Sequence, residues 1–286
     1  MDRSNIGIVP LNWKYSEASM ATYLEGISGY GFKGIQISVA QGNSSEFLAE
    51  MAKNNLKCAE IYVAVHMTPD GIEGRSEIET AEIIEVARKT GVEMVVFAVD
   101  GTPERDLCAT RAATGPQLTD TAYAALAEHV NRFAGIAAGY GMKSSFHPHA
   151  ATFIESPAET EKLMHLLDPQ TVGMCLDVGH WIVGGGDPLQ AIEQYKERIT
   201  HVHIKDVSGE VLGRLASGEI ASMEDAVVTD KLFVPAGTGV LDLIGTINSL
   251  RAHGFDGWLM SEQDSAWEPS EAASGVSYQA IASALQ

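Results

Sequence analysis

Basic residues are scarce in this chain. Lys and Arg number 19 against 38 Asp and Glu, a formal charge of −19 over 286 residues. A nucleic-acid-binding surface needs the opposite balance, so nucleic acid is excluded as a partner, and an anionic membrane surface is disfavoured on the same ground. Long apolar runs are also missing. No stretch approaches the roughly 18 apolar residues of a spanning helix, and the first ten residues lack the apolar region of a secretory signal, so a cytoplasmic setting is expected. The three cysteines, Cys58, Cys108 and Cys175, are too few for a disulfide framework and none sits at CxxC spacing. Cys58 and Cys175 fall inside apolar runs and read as buried free thiols. No GxGxxG turn follows the first strand-like run, which removes the dinucleotide-binding reading. Gly184-Gly185-Gly186 opens no helix after a strand and reads as a loop. No cluster of Arg and Lys marks a phosphorylated substrate.

What is present is regular alternation. Apolar residues make up 45% of the chain, enough for a large core. Strand-like runs fall at 5–9, 34–39, 58–65, 94–99, 143–146, 172–178, 199–205 and 258–261. Helix-like segments at 17–29, 44–55, 76–90, 119–139, 157–167, 188–197, 241–253 and 270–285 separate and follow them. Four helix ends carry Gly just before the next strand, at Gly31, Gly91, Gly141 and Gly254, where a left-handed terminus is cheap for Gly alone. Eight strand–helix pairs predict α/β architecture: a single (β/α)8 TIM barrel domain over residues 1–286, with its active site at the C-terminal face. Two loops, 100–118 and 208–239, are longer than a barrel needs, and both emerge on that face.

Polar residues of ligand type stand where the apolar runs stop: His147 and His149 after the fifth, Asp177 after the sixth, His203 in the seventh and Glu262 after the eighth. A parallel barrel would gather them at one rim, and converging oxygen and nitrogen donors suit a divalent metal. Each has a plainer role open to it. Asp177 could cap a helix or pair with Lys205 or Arg198, and Glu262 could be a surface acid. Glu155, just before a helix, could be a third carboxylate ligand or first-turn decoration. His180 could cap a helix, Lys205 could pair with Asp206, and Trp13 could pack a loop instead of lying against a sugar ring. His66, after the third strand, carries the same ambiguity. His201 alternates with His203 on one strand face and reads as a core residue.

The stretches Phe146-His147-Pro148-His149 to Glu155, Cys175-Leu176-Asp177-Val178-Gly179-His180 and His201-Val202-His203-Ile204-Lys205-Asp206 resemble the xylose isomerase-like TIM-barrel superfamily, in its sugar isomerase/epimerase and inosose dehydratase branch. Gly31 to Gln36 fits the second-strand signature, and the resemblance spans nearly the whole chain. It implies one divalent cation, foremost manganese, with cobalt, magnesium or zinc as alternatives. That cation would be held by a carboxylate after the fifth strand together with Asp177, His203 and Glu262. The chain departs from the plain epimerases by placing His147-Pro148-His149 where their first Glu stands. Glu155 is then the substitute ligand, with His147 or His149 as alternatives. Gln36 also replaces a Glu that many relatives carry. Barrels of this type form dimers and tetramers, so a homo-oligomer is within the resemblance.

The expected chemistry is proton abstraction next to a carbonyl on a sugar or keto-polyol. Glu155 and Glu262 are the candidate bases for isomerisation or epimerisation, which is ranked first. In dehydration, ranked second, His147 or His149 would protonate the departing hydroxyl, with Trp13, His180 and Lys205 binding substrate. Cleavage of 3-keto-glycosides and a non-catalytic sugar-binding barrel are the other classes. A nuclease of the related branch is excluded by the charge.

Overall fold

The computed structural model describes residues 2, 5–13 and 20–286. Eight parallel strands close into a barrel: β1 (Ile6–Val9), β2 (Gly34–Ile37), β3 (Lys57–Val65), β4 (Met94–Val99), β5 (Lys143–Phe146), β6 (Val172–Asp177), β7 (Ile199–Ile204) and β8 (Leu259–Glu262). The order around the barrel is sequential, with β8 pairing β1. This is the expected TIM barrel of the α/β class. The strand bounds fall within two residues of the sequence expectation, because each strand is a short apolar run between breakers.

Outer helices run at Met20–Tyr30, Ser45–Lys53, Arg75–Thr90, Asp120–Gly139, Pro157–Met164, Pro188–Tyr195, Leu243–Ala252 and Ser270–Ala284. The predicted start of the first, at 17, lies outside the described residues. Alternation along the strands explains the core. Ile61, Val63 and Val65 of β3 point outward into the main apolar cluster with the helices, whereas Glu60 and Tyr62 point into the barrel. Gly31 ends its helix at φ 110°, and an added Cβ there would lie 2.4 Å from the Tyr278 ring, so both conformation and space demand glycine.

Two stretches expected as loops, 100–118 and 208–239, are in part helical. The segment 208–239 holds helices Gly209–Ser217 and Met223–Val228, each capped by the serine before it. Strand pair Asp206–Val207 and Phe233–Val234 ties this segment down, and Asp206 accepts hydrogen bonds from the amides of Gly237, Gly239 and Leu241. The segment 100–118 is anchored by Arg105, which is wholly buried and donates from both terminal nitrogens to the Glu159 carboxylate, at 2.9 and 3.2 Å. A third short helix, Val178–Val183, starts directly at the end of β6. Both long segments therefore cover the C-terminal mouth as built structure.

Candidate metal and substrate site

Four consecutive strands deliver the polar residues. His147 follows β5, Asp177 ends β6, His203 lies in β7 and Glu262 ends β8, and Asp177 is the direct lateral partner of His203. His147 Nε2 lies 3.4 Å from Asp177 Oδ2. His203 Nδ1 lies 2.7 Å from Glu262 Oε2 and 3.7 Å from Asp177 Oδ2. All four donor atoms fall within 4.8 Å of one another.

Whether these residues suit a cation is decided by what their atoms already do. Asp177 Oδ1 accepts from the His180 amide, 2.8 Å away, and so caps the Val178–Val183 helix. Its Oδ2 makes no well-directed hydrogen bond among the described residues, and neither do Glu262 Oε2 and His203 Nδ1; their near contacts are His203 Nδ1 with Glu262 Oε2 at 2.7 Å and the Lys205 ammonium with the two carboxylate oxygens at 3.2 and 3.4 Å. Buried polar atoms usually find directed partners, and three of them converging without one form an arrangement that a shared cation would complete beside Lys205. Two carboxylate oxygens and two imidazole nitrogens are a donor set that a divalent metal accepts. Asp177 thus serves as helix cap and as candidate ligand with different oxygens.

Glu155 is not brought to this cluster. After Phe146 the chain doubles back, with the His149 amide donating to Ile154, and the Glu155 carboxylate turns away from the barrel axis. It accepts from the amides of Thr110 and Ala151 at 2.8 and 2.7 Å. Both of those residues hold positive φ, 69° and 63°. Glu155 therefore clamps two strained loops, and His147 stands where a Glu155 ligand was expected. Burial pushes the Glu155 carboxyl up to about 7, against the two amide bonds that favour its charge.

A second polar group lies beside the first. The Lys205 ammonium, wholly buried, is 2.9 Å from Asp264, 3.2 Å from Asp177 and 3.4 Å from Glu262. It also donates to His180 Nε2 at 2.7 Å, and its expected partner Asp206 is occupied elsewhere. Burial works against the ammonium, but Asp177, Asp264 and Glu262 together raise its pKa. Burial likewise opposes the Asp177 charge, yet Lys205 and His180 hold that carboxyl well below the usual carboxylate range. His149 stacks on His180 with ring centroids 3.6 Å apart. Its Nδ1 meets the Ala150 carbonyl at 2.7 Å, so Nδ1 carries the proton and Nε2 keeps a lone pair. Burial, then the neighbouring His180, His147 and Lys205, lower the His149 pKa well below its ordinary value.

The motif glycine has a packing reason. A Cβ on Gly179 would lie 2.8 Å from Cβ and Cγ of Lys205 and 2.9 Å from its carbonyl oxygen. Trp13 takes the plainer of its two roles: Nε1 donates to Ser274 Oγ at 2.8 Å, and the ring packs edge-on to Tyr23 and Tyr30. The cavity it shares with Glu262 holds only about 10 Å³, room for about one water. His66 sits between Asp100 and Glu79 at the rim. A larger cavity of 580 Å³, lined by Lys33, Lys57, Lys143 and Trp258, opens at the opposite mouth, the face that in such barrels serves stability.

Two site residues escaped the sequence reading. Asp264, two residues beyond Glu262, pairs with Lys205. Glu60 lies inside the barrel against His201 and His203. A lone acid in an apolar strand was the available signal for Glu60, since such a carboxylate must find a buried partner.

The family model for the xylose isomerase-like TIM barrel matches residues 24–282. The chain belongs to that family. An inosose dehydratase of Bacillus velezensis is 26% identical over 269 residues, covering 91% of this chain and 89% of the relative. Among solved structures, the 3-keto-D-glucoside 4-epimerase YcjR from E. coli superposes with a TM-score of 0.71 at 18% identity, over 98% of both chains. The IolI protein, solved with a zinc atom bound, superposes at 0.68 with 17% identity, again over 98% of both chains. The dehydratase and the epimerase are by their names enzymes acting on small sugar-like molecules, and the third protein carries a divalent metal. No helix among the described residues is long and apolar enough to cross a membrane.

Proposed function

We propose that this chain is a metal-dependent lyase that removes water from a cyclic keto-polyol of the inosose type. The observation that carries the reading is the pairing of two groups at one mouth: a four-donor cluster, and beside it an imidazole whose Nε2 lone pair is free. His147, Asp177, His203 and Glu262 would hold the cation, with zinc and manganese both compatible with the donors. When bound, it would polarise a carbonyl and offset the charge that builds on that oxygen as a neighbouring proton leaves.

The protein's own groups supply the rest. His149 Nε2 takes the proton from the carbon next to the carbonyl. The C–O bond to the β-hydroxyl then breaks, and the His149 imidazolium returns that proton to the departing oxygen, so hydrogen and hydroxyl leave together as one water. Lys205 keeps its charge throughout and anchors a substrate oxygen, with His180 and Asp264 fixing its direction. The relatives named inosose dehydratase support this order, which reverses the ranking drawn from the sequence. Isomerisation or epimerisation begins with the same proton abstraction and is the second reading, with the Glu262 carboxylate at the same mouth as the group that would return the proton to carbon.

Incubation of the metal-supplemented protein with 2-keto-myo-inositol in deuterated water separates the two. Loss of one water from the product mass supports the lyase. Deuterium at the carbon next to the carbonyl without water loss overturns it in favour of the isomerase, and no change in either overturns both for this substrate.

A further inference from the structure

Inside the barrel, below the four donors, lies a carboxylate that packing alone does not explain. Glu60 is wholly buried on β3, diametrically across from β7, at a level that barrels ordinarily fill with branched apolar side chains. An unpaired carboxylate there would be strongly unfavourable, so its partners identify its role. Its Oε2 meets Nε2 of His203 at 2.9 Å and also contacts Nε2 of His201. Its Oε1 has no hydrogen-bond partner among the described residues. Both rings face this one carboxylate oxygen as their acceptor.

The consequence falls on the other nitrogen of His203. With Nε2 committed to Glu60, Nδ1 is the atom turned toward Asp177 and Glu262. We infer that Glu60 is a positioning residue that holds His203 with its Nε2–H inward and its Nδ1 presented to the metal, while His201 keeps the Glu60 carboxylate in place. This rests on the metal reading above. A carboxylate behind a ligating histidine fixes ring orientation and strengthens the ligating nitrogen, and loss of such a partner costs about 10–100-fold in metal affinity.

Two measurements on the full chain test this. Zinc affinity is read by competition with a chromophoric chelator for the parent and Glu60→Gln, with circular dichroism to confirm that the variant is folded. Histidine ¹H–¹⁵N correlations of the zinc-loaded parent report which ring nitrogen is protonated and which is on the metal. The expected result is a zinc-bound Nδ1 and protonated Nε2 for His203, with zinc affinity weakened about 10–100-fold in Glu60→Gln. Zinc uptake through Nε2 of His203 overturns the role of Glu60 and leaves the metal reading standing. A folded variant whose affinity stays within about twofold of the parent does the same. A parent that takes up no zinc overturns the metal reading and this inference together. If Glu60→Gln does not fold, the nitrogen assignment in the parent decides alone.

Discussion

Replacing Lys205 with Met removes the only Lys or Arg ammonium or guanidinium ion-paired with Asp177, Glu262 and Asp264 among the described residues. The methionine matches the length of the aliphatic stem, so the change is mainly one of charge. Removing one partner from a buried ion pair costs about 3–5 kcal/mol, because the surviving charges stay buried without compensation. For a chain of this size about 1 kcal/mol moves the melting temperature by roughly 2 °C, so the metal-free variant should melt about 6–10 °C below the parent. A divalent cation should recover part of that loss, since it supplies positive charge to the same oxygens. The melting shift on adding saturating metal should thus be larger in Lys205→Met than in the parent. Differential scanning calorimetry on chelator-treated protein, with and without metal, gives all four numbers. A metal-free variant melting within about 2 °C of the parent would refute the claim that Lys205 compensates this cluster. An equal metal shift in both proteins would refute the claim that ammonium and metal serve the same carboxylates.

Other predictions follow from the same geometry. His149→Gln removes the proposed base while keeping an amide near the Ala150 carbonyl, and should lower kcat about 10²–10⁴-fold with little change in KM; an unaltered kcat assigns the proton transfer elsewhere. Glu155 has a folded-state pKa raised to about 7 by burial, above its ordinary value near 4.5. The folded state therefore binds the extra proton between those values, and stability from this residue is present below pH 4.5 and lost as pH rises through 7, by up to about 3 kcal/mol. Urea denaturation of the parent and Glu155→Gln at pH 5 and pH 8 should show the variant losing less stability on going to pH 8; parallel losses would contradict the assignment. Gly179→Ala forces a Cβ against Lys205 and its carbonyl, and should cost about 1–3 kcal/mol in thermal or urea unfolding. An unchanged midpoint would show that the contact relaxes freely.

The barrel was legible because each of its strands is a short apolar run between breakers, and because Gly31, Gly91, Gly141 and Gly254 all adopt positive φ where the sequence placed helix ends. Asp177, His203 and Glu262 could be grouped because residues at the ends of parallel strands share a rim. The fourth position was harder. Strand alternation puts Ser145 and His147 on the inner face, which favours His147, but the fold-back from His149 to Ile154 that turns Glu155 away depends on a loop conformation with no periodicity. Glu60 was hidden for a different reason. Its partners, His201 and His203, lie more than 140 residues away in sequence, across the barrel, and only closure of the sheet brings them together. The helix Val178–Val183 was missed because it begins directly after the last residue of a strand, with Asp177 acting as strand end, cap and candidate ligand at once.

The most direct test of the account is the metal content of the purified protein and of an Asp177→Ala, His203→Ala double variant, measured by plasma emission spectrometry after incubation with manganese or zinc and gel filtration. The four-donor site predicts close to one equivalent in the parent and none in the variant. A parent that retains no divalent metal, or a folded double variant that retains as much as the parent, would contradict it.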